Sequence, residues 1–302
     1  MKDFFTGKKG TIYLLSLVYL FSIGVGLAVY LTTRNLISSP IWRMLIADVV
    51  ATLIVWGFGL IIKNASAYDP YWSVIPPLII TGWIIIEGVA LSFGAILLIL
   101  AVFFWAIRLT YNWALNWRDF SHQDWRYTMI RQSKPELWFW SNLFGINMMP
   151  TLIVFLQMVP AYFLLQAESG FSLLMVIGFL MSIAATSIQY ISDRQMYVFR
   201  EDHKNQKKCI SIGLWKYSRH PNYFGEVLMW WGVWVMYAGA VRIDFLIIAP
   251  IMMTALFLFI SIPMMEKKIL MFRPEYQEYR DSVSMLVPFF PKKHHEEPSM
   301  GD

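Results

Sequence analysis

Long runs of apolar residues, separated by short polar stretches, dominate the pattern along this chain. Eight such runs cover residues 11–32, 41–62, 73–87, 89–116, 138–166, 171–198, 222–239 and 244–265. A helix needs about 20 apolar residues to cross the hydrocarbon core of a bilayer, and most of these runs approach that length. The pattern therefore predicts an all-α fold, a polytopic membrane helix bundle with seven or eight transmembrane helices.

Prolines interrupt two of these runs. Pro76 and Pro77 lie near the start of the short third run, which predicts a tilted or broken helix there. Pro150 and Pro160 lie inside the fifth run and predict kinks, because proline removes a helical hydrogen bond and clashes with the preceding turn.

Basic residues are distributed unevenly between the predicted loops. Only Arg34, Arg43 and Arg242 fall on one side of the membrane, whereas the remaining loops carry most of the Lys and Arg residues. Cytoplasmic loops are enriched in Lys and Arg, so the richer side is predicted to be cytoplasmic, and eight helices place both termini there. This bias accounts for the net charge of +5, and a nucleic-acid partner is not expected.

The run pattern predicts one integral-membrane domain over residues 1–291. Its C-terminal half, from about residue 138 to 291, is expected to bind a cofactor, and residues 292–302 read KKHHEEPSMGD and predict a disordered tail. The single cysteine, Cys209, excludes an intrachain disulfide and a multi-cysteine zinc site, so no metal is expected. The chain contains neither a Walker loop nor a G-x-G-x-x-G motif after a strand.

Four polar clusters fall on the predicted cytoplasmic side. The first, residues 63–73, reads KNASAYDPYWS and contains Tyr68, Asp69 and Tyr71. Asp69, or one of these tyrosines, is a candidate proton donor to a substrate. The alternative is an Asp-Pro turn flanked by the aromatic residues that are common at membrane interfaces.

The second and third clusters lie at the ends of the fourth and sixth runs. Arg108 is deep inside a run, and Asn112 shares its helix face, so this pair predicts a functional site. Asp193 and Arg200 are seven residues apart on one face, and Arg200 with Lys208 could bind phosphate groups. The alternative is that the positive-inside rule alone explains these charges.

The fourth cluster, residues 215–226, reads WKYSRHPNYFGE at the mouth of an apolar run. Polar side chains beside lipid are costly, so this density of them indicates a function. The candidate residues of this cluster and of its continuation are Trp215, Tyr217, Arg219, His220, Asn222, Tyr223, Glu226, Glu266 and Tyr276.

WKYSRHPNYFGE, followed by a Glu…Tyr-x-x-Tyr…Pro tail that ends at Pro288, resembles the steroid 5α-reductase C-terminal domain. The whole chain resembles the bacterial family DUF1295, from AYDPYWS through RLTYNW and DWRY to the tail. The superfamily includes NADPH-dependent steroid and sterol reductases. It also includes isoprenylcysteine and phospholipid methyltransferases that use S-adenosylmethionine.

Within that superfamily, Asn222-Tyr223-Phe224-Gly225-Glu226 is similar to the reductases. The resemblance implies an NADPH-dependent oxidoreductase that reduces an activated C=C bond in a steroid-like or other lipid substrate. The residues expected to contact the dinucleotide are Arg108, Asn112, Asp193, Arg200, Lys208, Trp215, Tyr217, Arg219, His220, Asn222, Tyr223, Glu226, Glu266 and Tyr276.

Two other functions stay open. Arg219, His220 and Glu266 would serve equally well in a methyltransferase that uses S-adenosylmethionine and modifies a lipid or an isoprenylcysteine-type thioether. A transporter or scaffold is the third alternative, although transporters often show repeats, and none is seen here. The expected location is the bacterial inner membrane, with the cofactor site facing the cytoplasm and a lipid-like substrate entering from the bilayer.

Overall fold

The computed structural model describes residues 7–168, 170–205 and 208–292, and over these ranges it is helical throughout, without strands. The α-helices are α1 (Gly7–Thr32), α2 (Pro40–Ile61), α3 (Tyr71–Ile86), α4 (Phe93–Asn116), α5 (Trp125–Ser133), α6 (Trp138–Trp140), α7 (Met149–Gln166), α8 (Leu173–Glu201), α9 (Pro221–Ala240), α10 (Ile248–Leu256), α11 (Ile262–Phe272) and α12 (Tyr276–Ser282). The all-α prediction is confirmed. Residues 293–302 of the predicted tail lie outside the described ranges.

Within the described residues, seven helical stretches are long and apolar enough to cross a membrane. They are Gly7–Asn35, Pro40–Ile61, Ala65–Ile86, Phe93–Asn116, Pro135–Gln166, Leu173–Glu201 and Phe245–Phe272. The chain is therefore an integral membrane protein with several apolar helices. The predicted seventh run, which forms α9, is not among these stretches; it begins with polar residues and spans 20 residues.

Helices α8 and α9 pack closely along their length. A side chain at Gly232 would meet the Ser182 hydroxyl at 2.3 Å, and one at Gly178 would meet the Gly232 carbonyl at 2.6 Å. Only glycine permits this approach, and small residues are typical of contacts between helices in membranes. The approach brings the polar residues of α8 against those at the start of α9.

The helix geometry around Pro76, Pro77 and Pro150 differs from the prediction. Helix α3 continues through Pro76 and Pro77 without a break, so the broken helix expected there is not present. Before Pro150 the chain forms a π-helix, Ser141–Met148, and Pro150 then occupies the first turn of α7. The irregular geometry therefore precedes this proline and does not lie at it.

The start of α1 and the ends of α2 and α4 meet at one end of the bundle, which we call the basic end. Lys8 Nζ donates a hydrogen bond to the Leu115 carbonyl at 3.0 Å, and the Asn64 side chain donates to the Phe120 carbonyl at 2.8 Å. This end carries most of the loop Lys and Arg residues counted in the sequence.

The opposite end contains a buried ion pair. Arg43 Nη2 lies 3.0 Å from Glu87 Oε1, and the Tyr30 hydroxyl donates to the same oxygen at 2.5 Å. The Arg43 guanidinium also lies 4.7 Å from the centre of the Tyr30 ring. These contacts tie the end of α1, the start of α2 and the end of α3 together.

Candidate functional site

The turn before α9 is held by the C-terminal segment. The backbone N–H of Arg219 donates to the Ser284 carbonyl at 2.9 Å, and the Ser218 hydroxyl donates to the Leu286 carbonyl at 2.7 Å. Pro221 then begins the helix, where its fixed φ suits the first turn and its missing N–H costs nothing. The turn and the C-terminal segment together fix the positions of the side chains that enter the bundle here.

Four side chains converge at this turn, and we call them the α9 cluster: Arg219, His220, Glu266 and Tyr276. All four are buried. Glu266 Oε1 lies 2.9 Å from Arg219 Nε and 3.1 Å from His220 Nε2, and it accepts a hydrogen bond from the Tyr276 hydroxyl at 3.2 Å. A buried carboxylate with this many partners is compensated for its loss of water.

The α9 cluster has more donors than acceptors. Arg219 Nη1 donates to the Arg280 carbonyl, but Arg219 Nε is not aligned for a hydrogen bond and has no acceptor among the described residues. Burial, and then the neighbouring Glu266 carboxylate, raise the pKa of the Tyr276 hydroxyl, so it stays a donor at neutral pH. The cluster thus combines a guanidinium, a carboxylate and a phenol donor in one buried place.

Aromatic residues of the same motif surround the cluster. The Tyr223 ring stacks on the His220 ring, with centroids 5.4 Å apart and planes 8° apart. The Trp215 indole N–H donates to the Ser192 carbonyl at 3.1 Å. Tyr217 makes an edge contact with a ring of the C-terminal segment. Tyr223 thus contacts the α9 cluster directly, whereas Trp215 contacts α8 and Tyr217 contacts the C-terminal segment.

A second polar network, the crossing cluster, joins α4, α8 and α9: Arg108, Gln189, Asp193, Asn222 and Glu226. Arg108 donates to Gln189 Oε1 at 2.7 Å and forms an ion pair with Asp193. The Asn222 amide donates to Asp193 Oδ1 at 3.2 Å. Arg108 and Asp193, which lie on different helices, are paired inside the protein.

Glu226 is the most buried acid of the crossing cluster. It accepts hydrogen bonds from the Trp105 and Trp230 indoles at 2.9 and 3.0 Å and from the Gln189 amide at 3.1 Å. Gln189 and the two tryptophans were not identified from the sequence as partners of Glu226. A signal existed for Gln189, because it precedes Asp193 by four residues and so shares its helix face.

Three predicted cofactor residues are not members of either cluster, although the charge of Arg200 acts on Asp193 of the crossing cluster. Asn112 accepts a hydrogen bond from the Asn116 side chain at 3.3 Å. Arg200 and Lys208 are exposed near the end of α8. Their assignment to a cofactor remains a prediction.

The candidate proton donors belong to the N-terminal half. The Tyr68 hydroxyl lies 2.6 Å from the Thr151 hydroxyl, and the Tyr71 hydroxyl donates to Asp48 Oδ1 at 3.0 Å. The two tyrosine rings are 5.4 Å apart. Asp48, a buried carboxyl group in the middle of α2, was not identified from the sequence, because it is a single acid within an apolar run.

Asp69 has a different neighbour. The Tyr127 hydroxyl of α5 donates to Asp69 Oδ1 at 2.5 Å. Burial, and then the Asp69 carboxylate, raise the pKa of Tyr127, so this hydroxyl stays protonated. Asp69 therefore links α5 to the turn before α3, and its role as a proton donor stays a prediction.

The part of the chain that the structure describes contains no group of three or more His, Cys, Asp or Glu residues placed to hold a metal ion. Cys209 is a free, partly buried thiol.

Three relatives are similar to a part or to most of the chain. The chain is 24% identical over 263 residues to an uncharacterized protein of Schizosaccharomyces pombe, covering 78% of this chain and 76% of the relative. It is 35% identical over 77 residues to methanethiol S-methyltransferase 1 of Bradyrhizobium diazoefficiens, covering 25% of each chain. It is 31% identical over 102 residues to a methanethiol S-methyltransferase of Crocosphaera subtropica, covering 33% of this chain and 37% of that protein. No solved structure matches the chain.

These relatives correct the predicted function. The expected NADPH-dependent reductase is wrong, because the two relatives with a named activity are methyltransferases. They match the alternative that the sequence left open. No relative supports NADPH as the cofactor or places the chain among the steroid reductases. Asn222 and Glu226, which favoured the reductase, have partners inside the crossing cluster.

A family model, described as a protein of unknown function (DUF1295), matches residues 55–283. The match begins near the end of α2 and runs to the end of α12, so it includes both polar clusters and most of the membrane-spanning helices. The chain belongs to the DUF1295 family.

Proposed function

We propose that this protein is a membrane-embedded methyltransferase that uses S-adenosylmethionine. Two relatives bear the name methanethiol S-methyltransferase, and each matches a part of this chain. The observation that carries the proposal is the α9 cluster, in which a buried Glu266 meets Arg219 and His220. The site offers groups of both charge signs, as a zwitterionic cofactor requires.

The residues of the α9 cluster fit this cofactor. The Arg219 guanidinium suits the carboxylate of its amino-acid part, and Glu266 suits a cationic or hydroxyl group. The stacked His220 and Tyr223 rings provide an aromatic face of the kind that attracts cations. When bound, S-adenosylmethionine supplies an electrophilic methyl group, and the protein supplies binding, orientation and exclusion of water.

The orientation in the membrane is proposed from the charge distribution, and the membrane type, the domain extent and the methyl acceptor are further parts of the proposal. The basic end of the bundle faces the cytoplasm, in keeping with the positive-inside rule, so the α9 cluster is reached from there. We place the protein in a bacterial inner membrane and treat residues 1–291 as one domain. The methyl acceptor is a lipid-like molecule that enters from the bilayer.

Binding of the cofactor to the purified protein in lipid nanodiscs tests this proposal. Wild type should bind radiolabelled S-adenosylmethionine saturably, and Arg219→Gln should bind it at least about tenfold more weakly, since a hydrogen bond to a charged group contributes about 1.5–3 kcal/mol. Arg242→Gln is the matched control, because the Arg242 side chain is 70% exposed and pairs with Asp244. Equal binding by all three proteins, or none by wild type, would sink the proposal.

A further inference from the structure

A groove lies between α1, α2 and α3, apart from both polar clusters. Its volume is about 300 Å³, and its walls are almost entirely apolar. The lining residues include Gly26, Met44, Ala47, Ile75, Ile79 and Gly82. This volume is at the lower end of the range of small-molecule pockets, which suits a compact apolar body and not a whole phospholipid.

The groove opens on the outer surface of the bundle. Leu27, Leu78 and Ile85 line it and are exposed, and each belongs to a stretch that can cross a membrane. In a membrane these side chains face acyl chains. A molecule therefore reaches the groove from the bilayer and not from water.

One wall of the groove carries a buried carboxyl group. Asp48 and Tyr71 both line it, and the Tyr71 hydroxyl donates to Asp48 Oδ1 at 3.0 Å. Asp48 is 6% exposed, and within the described ranges no Lys, Arg or His forms an ion pair with it. An ionisable residue inside a membrane is costly and is typically retained for a function.

The surroundings of Asp48 restrict the chemistry of a ligand. A carboxyl group buried without a cation is stable in its neutral form, in which it can both donate and accept hydrogen bonds. Among the described residues that line the groove there is no Lys or Arg, so an anionic head group would have no counter-charge in this lining. The remaining polar lining consists of hydroxyl groups, from Tyr30, Tyr71 and Thr81. These features suit an uncharged end group.

We propose that this groove binds an uncharged amphiphile from the bilayer, with its apolar body between α1, α2 and α3 and its hydroxyl-type end at Asp48 and Tyr71. That this amphiphile is also the methyl acceptor rests on the proposed function. Binding in the groove does not, so the two can be tested separately.

Photolabelling in nanodiscs tests the groove. The probe is a long-chain alcohol that carries a diazirine and an alkyne, and the labelled peptides are identified by mass spectrometry. Gly82→Leu extends a side chain into the groove, and its Cβ meets the flexible tip of Met44, at 3.3 Å. Gly57→Leu is the matched control, because Gly57 is in α2, outside the lining, with nothing within 4 Å of an added Cβ.

In wild type and Gly57→Leu, excess unlabelled alcohol should suppress labelling of α1–α3 peptides. Gly82→Leu should reduce the suppressible labelling about tenfold, and Asp48→Asn about threefold, the loss expected for one hydrogen bond. Labelling that is spread over all helices, or that Gly82→Leu leaves unchanged, overturns the proposal. Suppression by a long-chain carboxylate as efficient as by the alcohol overturns the assignment of an uncharged end group.

Measuring the binding of S-adenosylmethionine to the same variants tells a failure of the groove proposal from a failure of the proposed function. Gly82→Leu should bind the cofactor like wild type, which also shows that the variant is folded. If wild type does not bind the cofactor but its groove is labelled as described, the methyltransferase proposal fails and the groove proposal stands. If wild type binds the cofactor and its groove is not labelled, the groove proposal fails alone.

Discussion

Glu266 and Asp48 are both buried carboxyl groups, but their neighbours differ. Glu266 in the α9 cluster lies within 3.2 Å of three side chains, Arg219, His220 and Tyr276. Asp48 in the groove accepts one phenol hydroxyl, and no cation forms an ion pair with it in the described part of the chain. Glu266 therefore has charged and polar partners, whereas Asp48 lies in the apolar wall of the groove.

This difference indicates two kinds of ligand. A charge-dense cluster suits a charged cofactor, and an isolated carboxyl group among apolar side chains suits an uncharged amphiphile. The crossing cluster is a third arrangement, since its acids pair with Arg108, with indoles and with amides of the protein itself.

The largest expected effect distinguishes the two acids directly. Glu266→Gln should lower the free energy of unfolding by about 3–5 kcal/mol, because it leaves Arg219 buried without its counter-charge. Asp48→Asn should change it by less than about 1.5 kcal/mol, because only one hydroxyl contact is altered. Denaturant unfolding of both variants in the same detergent measures these changes. Equal losses of unfolding free energy would show that the two carboxyl groups do not differ in their dependence on neighbours.

Disrupting the crossing cluster should affect stability more than cofactor binding. Asn222→Ala removes the hydrogen bonds to Asp193 and to the Tyr223 N–H, so we expect a loss of about 1–2 kcal/mol in unfolding free energy. The dissociation constant for S-adenosylmethionine should stay within about threefold of wild type, less than 1 kcal/mol. A much larger loss of affinity would place Asn222 in the cofactor site.

The smallest expected effect is on the alkylation rate of the Cys209 thiol, which lies outside both the α9 cluster and the groove. Burial raises the pKa of Cys209, so less thiolate is present at pH 8 than for a free thiol. Iodoacetamide should therefore alkylate the native protein more slowly than the unfolded chain, with the difference narrowing as the pH rises. Cys209 is the single cysteine of the chain, so the incorporated label reports this site alone. An equal rate at pH 8 in both states would contradict the burial of this thiol.

The sequence predicted the helical architecture well, because apolar run length is a direct requirement of the bilayer. It did not predict the π-helix at 141–148 or the unbroken α3, since neighbouring helices determine how a membrane helix accommodates proline. The close packing of α9 was not predicted from the sequence either. Its close contact with α8 depends on glycines such as Gly178 and Gly232, whose pairing needs three-dimensional information.

The candidate site was predicted in part. The sequence named Arg219, His220 and Glu266, which the structure brings together although Glu266 is far along the chain. It missed Asp48, because one acid in an apolar run has no pattern around it. The reductase reaction expected from Asn222 and Glu226 is wrong, whereas their assignment to a cofactor site stays a prediction.

The most direct test of the account is equilibrium binding of S-adenosylmethionine and of NADPH to the same nanodisc preparation, with wild type, Arg219→Gln and Arg242→Gln. We predict that wild type and Arg242→Gln bind S-adenosylmethionine saturably and that Arg219→Gln binds it at least about tenfold more weakly. We predict no saturable binding of NADPH to any of the three proteins. Saturable binding of NADPH without binding of S-adenosylmethionine would contradict it.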